Sequence, residues 1–199
     1  MVRVVGITGG IGSGKTTVCK WFEEQSVPVY YADDQAKWLM EHDSVLVHNV
    51  KSAFGEDIYD NNKLNRTKLA AIVFADKDKL AILNSLVHPA VFTHFETWKA
   101  SYSHLPFVLK EAALMYESKS YLQTDKMIMV YAPLSVRVQR VCKRDNTTPE
   151  SVLSRIEKQL PDDEKIHKSH YIVFNDGIHD LYTQLEQVKL WIHKATKPA

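Results

Sequence analysis

Residues 9–16 read Gly9-Gly10-Ile11-Gly12-Ser13-Gly14-Lys15-Thr16 and satisfy every fixed position of the pattern G-x-x-x-x-G-K-[ST]. Five of the seven glycines in the chain fall between Gly6 and Gly14. A loop that wraps a phosphate must turn its backbone N–H groups inward through conformations that a Cβ obstructs, so this concentration of glycine has a physical purpose. Just before the loop, Val2 to Thr8 (VRVVGIT) is a short, β-branched apolar run of the kind that forms a buried parallel strand. Just after it, Lys15 to about Gln25 carries Val18, Trp21 and Phe22 on one helical face. Strand, glycine loop and helix together predict a nucleoside triphosphate site. The set expected to hold the nucleotide is Gly10, Ile11, Gly12, Ser13, Gly14, Lys15, Thr16 and Thr17, with Lys15 reaching the β- and γ-phosphates and the Thr16 hydroxyl ligating Mg²⁺.

Working outward, four further segments have strand character: Val27 to Ala32 (VPVYYA), Phe107 to Leu114, Met127 to Ala132 and Tyr171 to Phe174. Helical patterns lie between and after them, and in the last of these Leu181, Leu185, Val188 and Ile192 recur at helical spacing. The alternation predicts an α/β P-loop NTPase fold, three-layered and doubly wound, with a five-stranded parallel sheet and ligands at the carboxyl ends of its strands.

More than 70 residues separate the second strand from the third, far more than one crossover helix needs. The segment 34–105 is therefore expected to be a helical insertion that binds the acceptor, with helices at Thr67–Ala75 and Lys79–Val87 and a fresh start at Pro89. A scaffold or oligomer surface is the alternative. A second elaboration, 137–168, is helical and basic, carrying Arg137, Arg140, Lys143, Arg144 and Arg155, and is expected to act as a lid. The closing Lys197-Pro198-Ala199 is expected to fray.

Lys and Arg total 25 against 24 for Asp and Glu, so no global field draws the chain to nucleic acid or to an anionic membrane. Any bound anion must be held by a local site. The two cysteines, Cys19 and Cys142, have no ligand-spaced partners and indicate neither a disulfide framework nor a zinc site. There is no apolar run of the ~18 residues that a membrane helix needs, and no apolar leader precedes the first strand. The expectation is a cytoplasmic protein, monomeric or a small homo-oligomer.

Asp33 and Asp34 follow directly on the second strand, whose end should lie near the loop. A carboxylate there can accept the proton of an attacking hydroxyl, and Asp33, coming first, is the preferred base. Both aspartates could instead start a helix. Glu111 interrupts the apolar third strand, where a buried carboxylate needs a partner. It could act on Mg²⁺ through water, pair with Lys15, or face solvent at an edge. Glu117 is expected to be a cap or an ion-pair partner. Arg140 and Arg144 offer planar guanidinium forks suited to phosphate oxygens, and a mobile segment carrying them could exclude water from the reaction. His88 either contacts a ligand phosphate or caps a helix.

Taken together, these elements resemble the dephospho-CoA kinase family over nearly the whole chain. The resemblance rests on Ile7-Thr8-Gly9-Gly10-Ile11-Gly12-Ser13-Gly14-Lys15-Thr16-Thr17-Val18, Ala32-Asp33, Leu86-Val87-His88-Pro89 and Leu114 to Glu117. It continues with Arg140 through Arg144-Asp145, Arg155-Ile156 with Gln159, and Asn175-Asp176-Gly177. It implies ATP and Mg²⁺ as cofactors and transfer of the γ-phosphoryl group to the ribose 3′-hydroxyl of dephospho-CoA. It also implies Asp33 as the catalytic aspartate, with Lys15 and Arg140 assisting. His88 and Glu111 would lie on the substrate side, Arg144 in the lid and Asn175 near the adenine. The chain departs from the family in two places. Tyr31 stands where an aspartate is common, and Ala113-Leu114-Met115 replaces Pro-Leu-Leu, with Glu111 in place of aspartate.

Another small-molecule P-loop kinase is the nearest rival, but the insertion and His88-Pro89 argue against it. A GTPase switch would need D-x-x-G and N-K-x-D; no glycine here has aspartate three positions before it, and Asn62-Lys63 continues Leu64-Asn65.

Overall fold

The glycine loop is held between a strand and a helix, as its flanking residues require. The computed structural model describes residues 2–61 and 63–195; the closing residues 197–199, expected to fray, lie outside this range. In chain order, β1 (Arg3–Thr8), α1 (Lys15–Glu24) and β2 (Val29–Tyr31) are followed by α2 (Ala32–His42) and α3 (Ser44–Phe54). The two-residue strands β3 (Tyr59–Asp60) and β4 (Lys63–Leu64) precede α4 (Arg66–Ala75) and α5 (Lys77–Ala100). The chain then forms β5 (Phe107–Glu111), β6 (Lys126–Tyr131), α6 (Leu134–Asp145), α7 (Pro149–Ile156), α8 (Asp162–Lys168), β7 (Tyr171–Phe174) and α9 (Leu181–Ala195). It divides into two compact units, Met1–Tyr31 with Lys99–Ala199, and Ala32–Trp98.

The first unit contains a five-stranded sheet in the order β2-β5-β1-β6-β7, with every pair parallel. Strands buried on both faces read as apolar runs, and β1 shows this: all its residues after Arg3 are buried. One face presents Val5, Ile7, Phe107, Leu109, Ile128, Val130 and Val173 to α1 (Val18, Cys19, Phe22) and α9 (Leu185, Val188, Ile192) in a single cluster. All four α9 residues picked out by helical spacing pack there, Leu181 partly buried at its margin. The opposite face buries Val4, Val108, Met127 and Met129, and α8 packs on β6. The result is the three-layered α/β architecture expected from the alternation of strands and helices. β5 stops at Glu111 rather than at Leu114, because the Ala112 N–H makes the last bond to the Ile7 carbonyl before the chain turns.

The second unit is helical apart from the β3–β4 hairpin, whose four residues are too few for an alternating pattern to reveal. Its buried residues include Leu39, Leu46, Val50, Ile58, Leu69, Val73, Val87, Val91 and Phe95. Asp43 and Asn65 cap α3 and α4 by accepting from the N–H groups of Leu46 and Lys68. The fresh helix expected at Pro89 is absent: α5 runs unbroken from Lys77 to Ala100 with Pro89 inside it. Proline removes a backbone hydrogen bond and destabilises a helix interior by about 3 kcal/mol. Val87, Val91 and Phe95, four apart, bury one stripe on both sides of the proline, and each buried side chain contributes about 1.5–3 kcal/mol. That stripe outweighs the local penalty.

Candidate active site

Gly12 and Gly14 adopt φ values of 80° and 94°, the left-handed region that favours glycine. Gly14 is the N-cap of α1 and offers no side-chain cap, so the helix begins with donors and a positive dipole end directed at the loop. A Cβ on Gly14 would stand 2.0 Å from the Asn175 Nδ2, and one on Gly10 would stand 2.0 Å from the Arg137 Nη1. The loop is therefore narrow on both sides, with cationic or donor groups pressed against it. Thr16 and Thr17 are exposed in the first turn of α1.

Lys15 donates to the Gly9 carbonyl at 3.0 Å and lies 3.8 Å from the Glu111 carboxylate. Both side chains are only about one-tenth exposed (10% and 11%). Register explains the meeting: Glu111 pairs with Ile7 of β1 on one side and with Tyr31 of β2 on the other. The last residue of β5, which lies between β2 and β1, is thus delivered beside the lysine that follows β1. Of the alternatives for Glu111, the structure shows the lysine pair and a buried position.

Asn175, expected beside the nucleotide, donates its Nδ2–H to the Ser13 carbonyl at 2.8 Å. Its own backbone carbonyl accepts from Arg140 at 2.9 Å. Asn175 therefore braces the loop and ties Arg140 to it. Arg144 is directed elsewhere: it pairs with Asp145 at 2.7 Å, Arg155 shares the same carboxylate at 2.9 Å, and the Arg144 side chain is 61% exposed. The two guanidiniums hold the Asp145 carboxyl well below the usual carboxylate range. His88, exposed in the interior of α5, caps nothing.

Asp33 and Asp34 are exposed in the first turn of α2, and Lys37 pairs with Asp34 at 2.7 Å. Asp33 is two residues along the chain from Tyr31, the register partner of Glu111. Within the second unit, a groove of about 380 Å³ is lined by Leu39, Asp43, Leu46, Leu86, Pro89 and His94 among others.

The placement of three residues around the loop escapes a reading of the sequence, in which Gln159 figures only through the resemblance. Arg137, placed there only in a basic stretch, is 4% exposed, and its Nη2 donates to Asp162 at 2.6 Å. Gln159 accepts the Ile11 N–H at 2.9 Å across 148 positions of sequence. Lys165 is wholly buried. No local pattern distinguishes these side chains from the exposed charges beside them. Glu117 accepts the Leu160 N–H at 2.7 Å and faces Lys165 at 4.0 Å, an ion-pair partner rather than a cap.

A parallel sheet that opens on a glycine cradle, with a lysine and an uncapped helix N-terminus inside it, defines a protein of the P-loop nucleotide-binding class. Among solved structures, this chain is similar to a crystal structure from Thermus thermophilus, with a TM-score of 0.84 at 29% identity and 99% of each chain covered. It has the same fold as dephospho-CoA kinase from Campylobacter jejuni (TM-score 0.69, 24% identity, 98% of each chain). Shikimate kinase from Bacteroides thetaiotaomicron shares the fold more distantly, with a TM-score of 0.53 at 14% identity, covering 96% of this chain and 98% of that one. The family model described as dephospho-CoA kinase matches residues 3–180. A dephospho-CoA kinase from Bacteroides fragilis is 35% identical over 194 residues, covering 98% of this chain and 95% of that relative. One from Salinibacter ruber is 38% identical over 179 residues, covering 88% and 90%. The chain belongs to the dephospho-CoA kinase family.

Proposed function

We propose that the chain transfers the γ-phosphoryl group of ATP to the ribose 3′-hydroxyl of dephospho-CoA, releasing CoA and ADP. The observation that carries this reading is the braced glycine cradle, Gly9 to Thr16, in a chain matched to the family from residue 3 to residue 180. The hydroxyl oxygen forms the new bond to phosphorus while the bond from phosphorus to the β–γ bridging oxygen breaks, its electron pair leaving with ADP. The hydroxyl proton passes to Asp33. Lys15 holds the β- and γ-phosphates once these replace Glu111 as its counter-charge. Arg140, tied to the loop through Asn175, is a lid cation placed to offset charge on the transferring group.

Among the described residues no cluster of three or more His, Cys, Asp or Glu is arranged to hold a metal. Mg²⁺ is commonly held by one or two protein oxygens plus substrate phosphates, and Thr16, exposed in the first turn of α1, is the residue that would supply one. When bound, the ion would neutralise charge on the phosphate oxygens.

The unit Ala32–Trp98 is the acceptor-binding part in this reading, and its largely apolar groove would suit the pantetheine arm. The segment 137–168 is the lid. Among the described residues no helix is long and apolar enough to cross a membrane. The test is ADP release with dephospho-CoA, adenosine, shikimate, gluconate or water as acceptor. Release stimulated by dephospho-CoA alone is expected. Equal activity with every acceptor, or activity with another acceptor only, would refute the assignment.

A further inference from the structure

Two lysines of the first unit are fully enclosed, and they differ in how they are satisfied. Lys110 is 1% exposed and donates to Gln123, whereas Lys165 is 0% exposed and its Nζ has no hydrogen-bond acceptor. Its ion-pair partner Glu117 stands 4.0 Å away, beyond hydrogen-bond reach, and already accepts the Leu160 N–H. An ammonium group carries three donors and no acceptor capacity. Enclosing one without an acceptor is strongly unfavourable unless a bound anion completes the site.

The position of Lys165 identifies the anion. One turn earlier on α8, Asp162 holds Arg137, whose Nη1 lies 2.0 Å from the point where a Gly10 Cβ would fall. Six residues earlier, Gln159 holds the Ile11 N–H. The segment from Gln159 to Lys165 thus lies over Gly10 and Ile11, at the far end of the loop from the α1 N-terminus. Burial lowers the Lys165 pKa, and Lys15 and Arg137 push in the same direction against Glu117 and Asp162, so the group is within electrostatic range of Lys15. A helix N-terminus in such a loop takes the inner phosphates. A cation above the opposite end faces the terminal one.

We propose that Lys165 is a further catalytic residue, its ammonium donating to a non-bridging oxygen of the γ-phosphoryl group of the bound nucleoside triphosphate. It forms and breaks no covalent bond. It complements Lys15 in offsetting charge on the group in transit, and the bound phosphate relieves its own unmet donors. The assignment rests on the kinase reading above, but only on its nucleotide half.

The test is calorimetric titration of Lys165→Met and Lys165→Arg with the β,γ-imido analogue of ATP and with ADP, without acceptor. Lys165→Met should lose about 10- to 100-fold in affinity for the triphosphate analogue, the loss of one charge-assisted hydrogen bond, while ADP affinity stays within about twofold. Lys165→Arg should recover most of the difference. Turnover of Lys165→Met should fall about 10²- to 10³-fold, as when one preorganised donor is removed from a transition state. Its melting temperature should not fall, since an enclosed ammonium without a hydrogen-bond acceptor has been removed; Lys165→Gln repeats the titration should methionine disturb packing. Equal loss for both nucleotides, or retention of triphosphate affinity within about twofold, would overturn the proposal. If dephospho-CoA proved to be the wrong acceptor, the contrast between triphosphate and diphosphate would be unaffected.

Discussion

Replacing Glu111 with glutamine removes the counter-charge of Lys15 while keeping the side chain's shape. The two charges stand 3.8 Å apart with each side chain about 10% exposed. At an effective dielectric constant of about 20 this separation corresponds to about 4 kcal/mol of attraction. Lys15 keeps its hydrogen bond to the Gly9 carbonyl, and residual solvent screens the charge it retains, so the net loss should be about 2–4 kcal/mol. For a chain of 199 residues a loss of 1 kcal/mol lowers the melting temperature by about 2–4 °C, so the variant should melt about 4–16 °C below the parent. The triphosphate should then restore what the substitution removed, because bound phosphate becomes the partner of Lys15. Thermal melts with and without a saturating non-hydrolysable ATP analogue test both halves: the gap between variant and parent should be wide without nucleotide and narrow with it. A melting temperature within about 1 °C of the parent, or a gap that nucleotide leaves unchanged, would refute the reasoning.

Asp33→Asn should retain the fold and ATP affinity and lose about 10²-fold or more in kcat, measured by coupled ADP release; unchanged turnover removes Asp33 from the mechanism. Gly14→Ala forces a Cβ to within 2.0 Å of the Asn175 amide at φ 94°. It should add about 1–2 kcal/mol of backbone strain and weaken nucleotide binding at least about tenfold by calorimetry, since one end of the loop must shift. Asp145→Asn tests the pairs with Arg144 and Arg155. The Asp145 pKa is lowered in the folded protein, so its stabilising effect is present above the unfolded-state value of about 3.9 and lost as pH falls through the lower folded value. Melting scans should show the parent ahead by less than about 1 kcal/mol at neutral pH, a modest margin because the ion pair is largely solvent-screened, and the two proteins converging in strong acid.

Much of this chain is readable locally. The glycine loop announces itself because its backbone conformation admits little else, and β1 and α1 follow from an apolar run and a helical face on either side of it. The same logic recovers all five strands of the main sheet and the packing face of α9. That Asp33 follows directly on a strand end was also legible, and the structure has it in the first turn of α2 after β2. The reading of Pro89 failed for a definable reason: a proline's local effect is about 3 kcal/mol, and it was set against a buried stripe, Val87-Val91-Phe95, whose partners are not sequence neighbours.

What only the tertiary structure decided is which charges meet. Gln159 reaches Ile11 and Asn175 reaches Ser13 across 148 and 162 positions. Glu111 finds Lys15 through strand register, and Lys165 is hidden while the lysine three positions later, Lys168, is 51% exposed. By itself the sequence determined the strand, glycine loop and helix around Gly9 to Thr16, because backbone conformation there depends on residues within a few positions. Burial and pairing of the side chains around that cradle depend on how distant elements pack, and a charged residue carries the same letter whether it faces water or phosphate.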